Sequence, residues 1–563
     1  MMHTNQQIRR IAQIWLAVGF LLLPNSLKSA DRTTLLVPLA DDAEARELPV
    51  GRFADEAFGE ASDGWKAYIR LWKAHHQDPG NPAIRRFLGL PLKGSFQADA
   101  KRGRSAPSVL RWKAGSYAQV DTPHFVIHSR AAEAPSRFVA EDLERAYWIW
   151  TQMFFPLWEA NAQVSKTIGG MPADVSVQEF LESNPARITI RRKLRVVLFR
   201  DANEYQQTLS REVPGVERST GYYDNGRQTI FLYAAQPDDG STRRHELVHQ
   251  MFREATRSGL RQQMPASDSG FWLIEGIAGY FESLQIQKDF ATVGGWDASR
   301  LQFARFRVLV NGDQMSMNEL HADGFKQAQK RSDIARWYSH AIARTHQLLD
   351  GGDVAARQAI YQQLALRYKI RTDLQPSDVD LAFGKADPML RDFLRIGDAD
   401  LIQNVIAQAP RQLVLAECQV SEKGVQAIPA AANLAWLDLA GIPVTNNDVS
   451  RLAPRPTSIT QLRLERTAVD SGLKDWLKNA RNLRELDLSS TPIDDSVVGS
   501  VAAPQLSILW LTGTKVSDAS IDRIGGMKQL ESVDLQKTNV TQAGIARLRA
   551  ARPKLEINPL HVQ

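Results

Sequence analysis

Apolar residues recur along this chain with rhythms that change from segment to segment, and each rhythm predicts a different kind of element. Trp65, Tyr68, Ile69, Leu71 and Trp72 stand at helical spacing, and Asp78-Pro79-Gly80-Asn81-Pro82 ends the run. This predicts a small helical region over 31–115. Residues 121–128 and Val196–Phe199 read as strands, and Phe138 to Trp158 as a core helix rich in Trp and Phe. Leu247, Val248, Met251, Phe252 and Ala255 fall at i, i+1, i+4, i+5 and i+8, an amphipathic helix that Asp239-Gly240-Ser241 would open with a capping side chain. A second, almost wholly apolar helix covers Phe271 to Phe281. Trp337, Ala341, Ile342 and Leu348 mark another within a mostly helical stretch from 284 to 400, where Gly351-Gly352-Asp353 separates two helices.

The last third repeats. Leu434-x-x-Leu437-x-Leu439, Ile459-x-x-Leu462-x-Leu464, Leu483-x-x-Leu486-x-Leu488, Leu506-x-x-Leu509-x-Leu511 and Leu530-x-x-Val533-x-Leu535 align with a period of about 24 residues. Thr467, Thr491, Thr514 and Thr538 follow at a fixed offset, and Leu413, Leu415, Cys418 and Val420 fit the frame as a truncated first unit. The pattern resembles leucine-rich repeats. That resemblance implies about six units, each with a short strand and a return segment, stacked so that the strands line a concave face. Cys418 is then expected at a buried corner. Trp436, Asp438, Arg463, Glu465, Arg484, Glu485, Asp487, Trp510, Glu531 and Asp534 fall on variable positions. They offer a surface for a protein partner, although such a stack also serves as a spacer.

At 563 residues and 43% apolar content the chain has room for about three to four domains. Arg9-Arg10, a largely apolar run from Ile11 to Leu23, Pro24 and small residues up to Ser29-Ala30 read as an export signal over 1–30. The run is too short to span a bilayer comfortably, so the mature chain is expected to be exported (periplasmic, cell-surface or extracellular) with no transmembrane span. Lys28 is atypical before a cut after Ala30, which leaves the cleavage point open. The formal charge is +6, and three of the 69 basic residues but none of the 63 acidic ones lie in 1–30, leaving +3. No nucleic-acid partner is expected from that charge, and Arg191-Arg192-Lys193 reads as a solvated strand flank. The single cysteine excludes an internal disulfide.

The candidate chemistry sits in His245-Glu246-Leu247-Val248-His249. Side chains at i and i+4 share one helix face, so both imidazoles can reach one ion at about 2.0–2.1 Å, with Glu246 beside them as a general base. A catalytic zinc takes a third protein ligand and keeps one position open. Glu275 supplies it, in an apolar helix where an unpaired carboxylate would be costly. Gly276, Ala278 and Gly279 leave that helix thin on one side, as close packing against the first helix would require. Glu282 is either a residue that orients a ligating histidine or a surface carboxylate, and it is not counted in the site. His75-His76 stand on different helix faces and make a poor metal site. His124 and His128 are expected to be structural.

His245-Glu-Leu-Val-His249-Gln250 with Trp272-x-x-Glu275-Gly276-x-Ala278-x-Tyr280-x-Glu282 resembles the gluzincin signature of the thermolysin and aminopeptidase clan. Val196–Phe199 before Gly221-Tyr222-Tyr223 is similar to exported peptidase-MA-like proteins, over about residues 120 to 350. The Gly-Ala-Met-Glu-Asn exopeptidase loop is absent, so aminopeptidase specificity does not carry over. The resemblance implies an α+β metallopeptidase domain, with a mixed sheet and a helical lobe, followed by an α/β leucine-rich-repeat solenoid. It implies zinc on His245, His249 and Glu275, with Glu246 as catalytic base. The expected divisions are 1–30 signal peptide, 31–115 helical N-terminal region, 116–400 gluzincin-like domain and 401–563 repeats. The implied reaction is hydrolysis of a peptide or protein substrate by water activated on the metal, with Glu246 carrying the proton. Tyr338 and His340 are the candidate oxyanion donors. The alternative is an inactive gluzincin-fold protein whose repeats do the binding. The identity of the metal and the choice between endo- and exopeptidase stay open.

Overall fold

The computed structural model describes residues 35–38, 52–53, 63–88, 99–185, 188, 192–213, 215–234, 240–260, 263–287, 290–351, 354–370, 388–403 and 410–558. The export signal expected over 1–30, with Asp239, Arg191, Gly352 and Asp353, lies outside them. The chain is a mixed α/β protein. Among the described residues no helix is long and apolar enough to cross a membrane.

The first sheet holds β1 (Leu35–Pro38) and β2 (Arg52–Phe53) with two later strands, β9 (Gln285–Ile286) and β10 (Phe290–Val293), in the order β2-β1-β10-β9. Helix α1 (Asp63–Gln77) follows β2 in the chain. A second sheet contains β3 (Asp99–Arg102), β4 (Ala118–Asp121), β5 (Phe125–Ser129), β6 (Leu194–Phe199), β7 (Gly221–Asp224) and β8 (Thr229–Tyr233), ordered β3-β4-β5-β6-β8-β7. Its centre β5-β6-β8 is parallel and its other pairs antiparallel. Val196 to Phe199 and Ile230 to Leu232 are all buried, the continuous apolar run of strands covered on both faces.

Residues 121–128, expected from the sequence as one strand, are the end of β4, a turn over 122–124 and the first four residues of β5. Pro123 cannot donate to a ladder, and Thr122 closes the turn: its N–H donates to Phe125 O at 3.0 Å, and its Oγ1 accepts from the Phe125 N–H at 2.9 Å. The Trp-rich helix is likewise two. Helix α2 (Glu133–Met153) stops at Phe154, and a second, Phe155–Ala162, starts with Pro156 in its first turn. Helix α1 shares one apolar core with α2: Trp72 packs on Trp148 with ring centroids 4.8 Å apart, and the Tyr68 hydroxyl meets Thr151 Oγ1 at 2.6 Å.

Four more helices matter below: α3 (Ser241–Glu254), α4 (Phe271–Phe281), α5 (Ser299–Arg305) and α6 (Ile334–Asp350). The thin side of α4 does not face α3, as expected from the sequence, but packs on α6. A Cβ at Gly276 would collide with Thr345 Oγ1 and lie 2.9 Å from the Ala341 carbonyl, and one at Gly279 would strike Ile342. These two positions share one face of α4, and Thr345, Ile342 and the Ala341 carbonyl of α6 fill it. Gly276→Ala removes glycine's entropic penalty of about 0.5–1 kcal/mol in a helix, but overpacking of this kind costs about 1–3 kcal/mol. The net expectation is a lower urea midpoint, and a midpoint at or above wild type would show that this contact is slack.

The leucine-rich segments each give one short strand: β11 (Gln412–Val414), β12 (Trp436–Asp438), β13 (Gln461–Arg463), β14 (Glu485–Asp487), β15 (Ile508–Trp510) and β16 (Ser532–Asp534). They run parallel in chain order, and their central residues Leu413, Leu437, Leu462, Leu486, Leu509 and Val533 are in register and buried. A seventh strand, β17 (Glu556–Asn558), extends the stack past the last leucine motif read from the sequence. Thr467, Thr491, Thr514 and Thr538 each donate a side-chain hydrogen bond to the carbonyl three residues earlier, at 2.6–2.7 Å. Cys418 departs from the expected burial. It is only partly covered, because it belongs to the end unit and lies where the repeat core meets a smaller apolar cluster around α5.

That end unit is closed by α5. Gln302 Oε1 accepts from the Val414 N–H at 3.0 Å, and Arg305 Nη1 donates to the Val414 carbonyl at 3.2 Å, so two side chains complete the outer edge of β11. Arg305 is fully buried and also donates to Leu394 O, Trp296 O and Gln302 Oε1. Phe303 on α5 and Phe306 just after it both have ring centroids 5.3 Å from that of Trp436, and Arg463 caps the Phe306 ring.

Candidate metal centre

Helix α3 starts at Ser241 with Gly240 as its N-cap at φ 100°, and Asp239, a candidate for the expected cap, lies outside the described residues. The left-handed conformation suits glycine, and a Cβ there would run into the Arg243 guanidinium. Buried polar ties hold the helix elsewhere. Asp142 on α2 accepts from Arg243 Nε at 3.2 Å and Arg244 Nη2 at 3.0 Å, while Gln250 donates to the Arg195 carbonyl of β6 at 3.1 Å. With Leu247, Val248, Met251 and Phe252 fully buried, α3 has one orientation, and it turns His245 and His249 toward α4.

Among the described residues His245, His249 and Glu275 form one cluster whose ligand atoms all lie within 4.8 Å of one another. His245 Nε2 is 3.2 Å from His249 Nε2 and 3.3 Å from Glu275 Oε2, and His249 Nε2 is 3.9 Å from Glu275 Oε1. Two ligands held tetrahedrally at about 2.0–2.1 Å from zinc lie about 3.3 Å apart, so these spacings and this donor chemistry fit the ion. Behind the cluster Glu282, not counted in the site on sequence grounds, accepts from His245 Nδ1 at 2.9 Å and receives Arg300 Nε at 2.8 Å. Its side chain is 8% exposed, which makes it a buried partner and not a surface carboxylate. The seven-residue spacing from Glu275, two helical turns, is the signal that could have placed it.

The electrostatics follow from crowding charges in a dry place. Burial pulls the His245 imidazole down, but the Glu275 and Glu282 carboxylates outweigh it and raise it to about 10. Burial drives His249 down to about 4, where the Glu275 charge only partly opposes it. Burial, joined by the Glu275 and Glu282 charges, lifts Glu246 to about 7 against the pull of His245 and of a Tyr223 backbone N–H that the carboxylate accepts. For Glu275 the two histidines overcome burial and keep it below the usual carboxylate range.

Strand β7 runs against α3 at this point. A Cβ at Gly221 would lie 2.6 Å from Thr242 Cγ2 and 3.3 Å from Glu246 Cγ, so glycine permits the approach that brings Tyr223 N–H to Glu246. Of the two sequence candidates for an oxyanion donor, Tyr338 stands at the cluster, where its hydroxyl hydrogen-bonds the Glu275 carboxylate. His340 does not. It is fully buried, with Nδ1 at 2.8 Å from the Arg336 carbonyl and Nε2 at 2.8 Å from that of Asp313. His124 is structural, stacked on Tyr147 and bonded to Glu144 at 2.6 Å, and His128 is buried in β5.

No family model matches the chain, and no curated protein matches it. Among solved structures it is similar to the crystal structure of an internalin (InlF) from Listeria monocytogenes, at 17% identity and a TM-score of 0.20. The similarity covers 29% of this chain and 44% of the internalin chain, so less than half of that protein's length is spanned.

Proposed function

We propose that this chain is an exported zinc-dependent peptidase of the gluzincin type whose leucine-rich repeats form a solenoid that binds its substrate or a protein partner. The observation that carries the reading is the meeting of His245, His249 and Glu275 at ligand spacing, with Glu282 on the far nitrogen of His245. A carboxylate that accepts from the second imidazole nitrogen favours the tautomer that presents the first nitrogen to a metal.

Zinc, when bound, supplies a Lewis acid for a peptide carbonyl and lowers the pKa of a water. The protein's own groups do the rest. Glu246 is raised to about 7 and held by the Tyr223 N–H, a carboxylate poised to accept a proton at neutral pH and return it to the leaving amine. Tyr338, beside Glu275, is the remaining candidate to donate to the developing oxyanion. Concave-face positions such as Ile508 and Trp510 on β15 stay partly exposed, and there the solenoid would hold a partner.

Elemental analysis of the purified chain tests the reading. About one zinc per chain is expected, lost in His245→Ala, with cleavage of a mixed peptide library by the wild type. Absence of metal from the wild type would sink the site. Zinc without any cleavage would favour the alternative, an inactive binding protein.

A further inference from the structure

Helix α5 touches both halves of the molecule. Ser299, Gln302 and Arg305 recur every three residues and bond the first repeat strand: Ser299 Oγ to Gln412 Oε1, Gln302 Oε1 to Val414 N, and Arg305 Nη1 to Val414 O. One residue round the helix from Ser299, Arg300 turns to the metal centre. Its Nε donates to Glu282 Oε2 at 2.8 Å and its Nη2 reaches Oε1 at 3.5 Å. Oε1 of the same carboxylate accepts from His245 Nδ1 at 2.9 Å.

The terminal torsion of a glutamate is broad and only weakly restricted, so one hydrogen bond leaves the carboxylate plane free to swing. The planar guanidinium across both oxygens removes that freedom. We propose that Arg300 is a positioning residue for the metal centre, fixing the carboxylate that fixes His245, and that the repeat sheet supports the centre from outside through α5. This rests on the reading of His245, His249 and Glu275 as metal ligands. The solenoid is on this account part of the site's framework as well as a binding surface.

The test is zinc affinity of the metal-free full chain, measured by competition with a chelating indicator, together with the visible spectrum of cobalt(II) in place of zinc. The Arg300 side chain is 54% exposed, so its loss spares the core and the melting temperature of the metal-free protein should not move. Arg300→Met is expected to weaken zinc about 10- to 100-fold and to alter the cobalt spectrum. Arg300→Lys should recover part of the loss, because an ammonium reaches one oxygen but cannot span both. Gln412→Ala, which removes the repeat-side partner of Ser299, should weaken zinc about twofold or more. Wild-type affinity in Arg300→Met would overturn the positioning role, and an unchanged affinity in Gln412→Ala would overturn the support from the repeats. A wild type that binds no zinc would overturn instead the metal-site reading beneath both.

Discussion

Glu246→Gln is expected to retain about one zinc per chain while peptide hydrolysis falls about 10²- to 10⁴-fold, the usual worth of a general base. The two effects separate because Glu246 is not one of the three residues whose ligand atoms converge. The amide keeps the shape of the side chain, so α3 and the strand beside it need not move. It cannot take a proton. The carboxylate it replaces is lifted to about 7 by burial and by the Glu275 and Glu282 charges, which places its proton affinity where a neutral-pH reaction can use it. Zinc content and turnover measured on one preparation decide the matter: loss of both would make Glu246 a ligand or a folding residue, and undiminished turnover would remove it from the chemistry.

The second large effect is expected far from the reacting atoms. Arg305→Met should lower the unfolding free energy of the full chain by about 4 kcal/mol, followed by Trp fluorescence in urea. Arg305 is fully buried, and its guanidinium serves acceptors from four places: Trp296 O, Gln302 Oε1, Leu394 O and Val414 O. Methionine keeps the apolar stem but leaves those acceptors without their charged donor. Each such bond is worth about 1.5–3 kcal/mol, offset in part by the guanidinium's own desolvation. Because the bond to Val414 joins α5 to the first repeat strand, the transition should also split, the repeats melting apart from the rest. A single transition at the wild-type midpoint would show that the joint is held by its apolar contacts alone.

Local pattern made much of this molecule legible. The pairing of His245 with His249 was readable because helical periodicity fixes which residues share a face, Glu275 because a carboxylate in an apolar helix needs a partner, and the repeat strands because a period of leucines survives any tertiary context. What escaped depends on partners distant in the chain. Nothing near Gly276 says that its bare side meets Thr345 and not α3. Glu282 looked as much like a surface residue as a buried one until Arg300 and His245 closed on it. Asp142 anchors Arg243 and Arg244 from about a hundred positions away. Gln302 and Arg305 are polar residues, and only the strand edge opposite shows why they are inside. The 121–128 error was local: Pro123 forbade a continuous strand, and the apolar pattern outweighed it.

The closure of β11 by α5 sets how this protein can change in evolution. Among the described residues, each strand from β14 to β16 pairs with the strand before it and the strand after, through matching central residues such as Leu486, Leu509 and Val533. A block of about 24 residues could therefore be gained or lost between β13 and β16 by simple duplication or deletion, lengthening or shortening the array while Val414 and its two side-chain partners stay as they are. The first unit has no such freedom, since it is welded to the other half of the molecule. Descendants of this chain should vary in array length and stay constant at the weld.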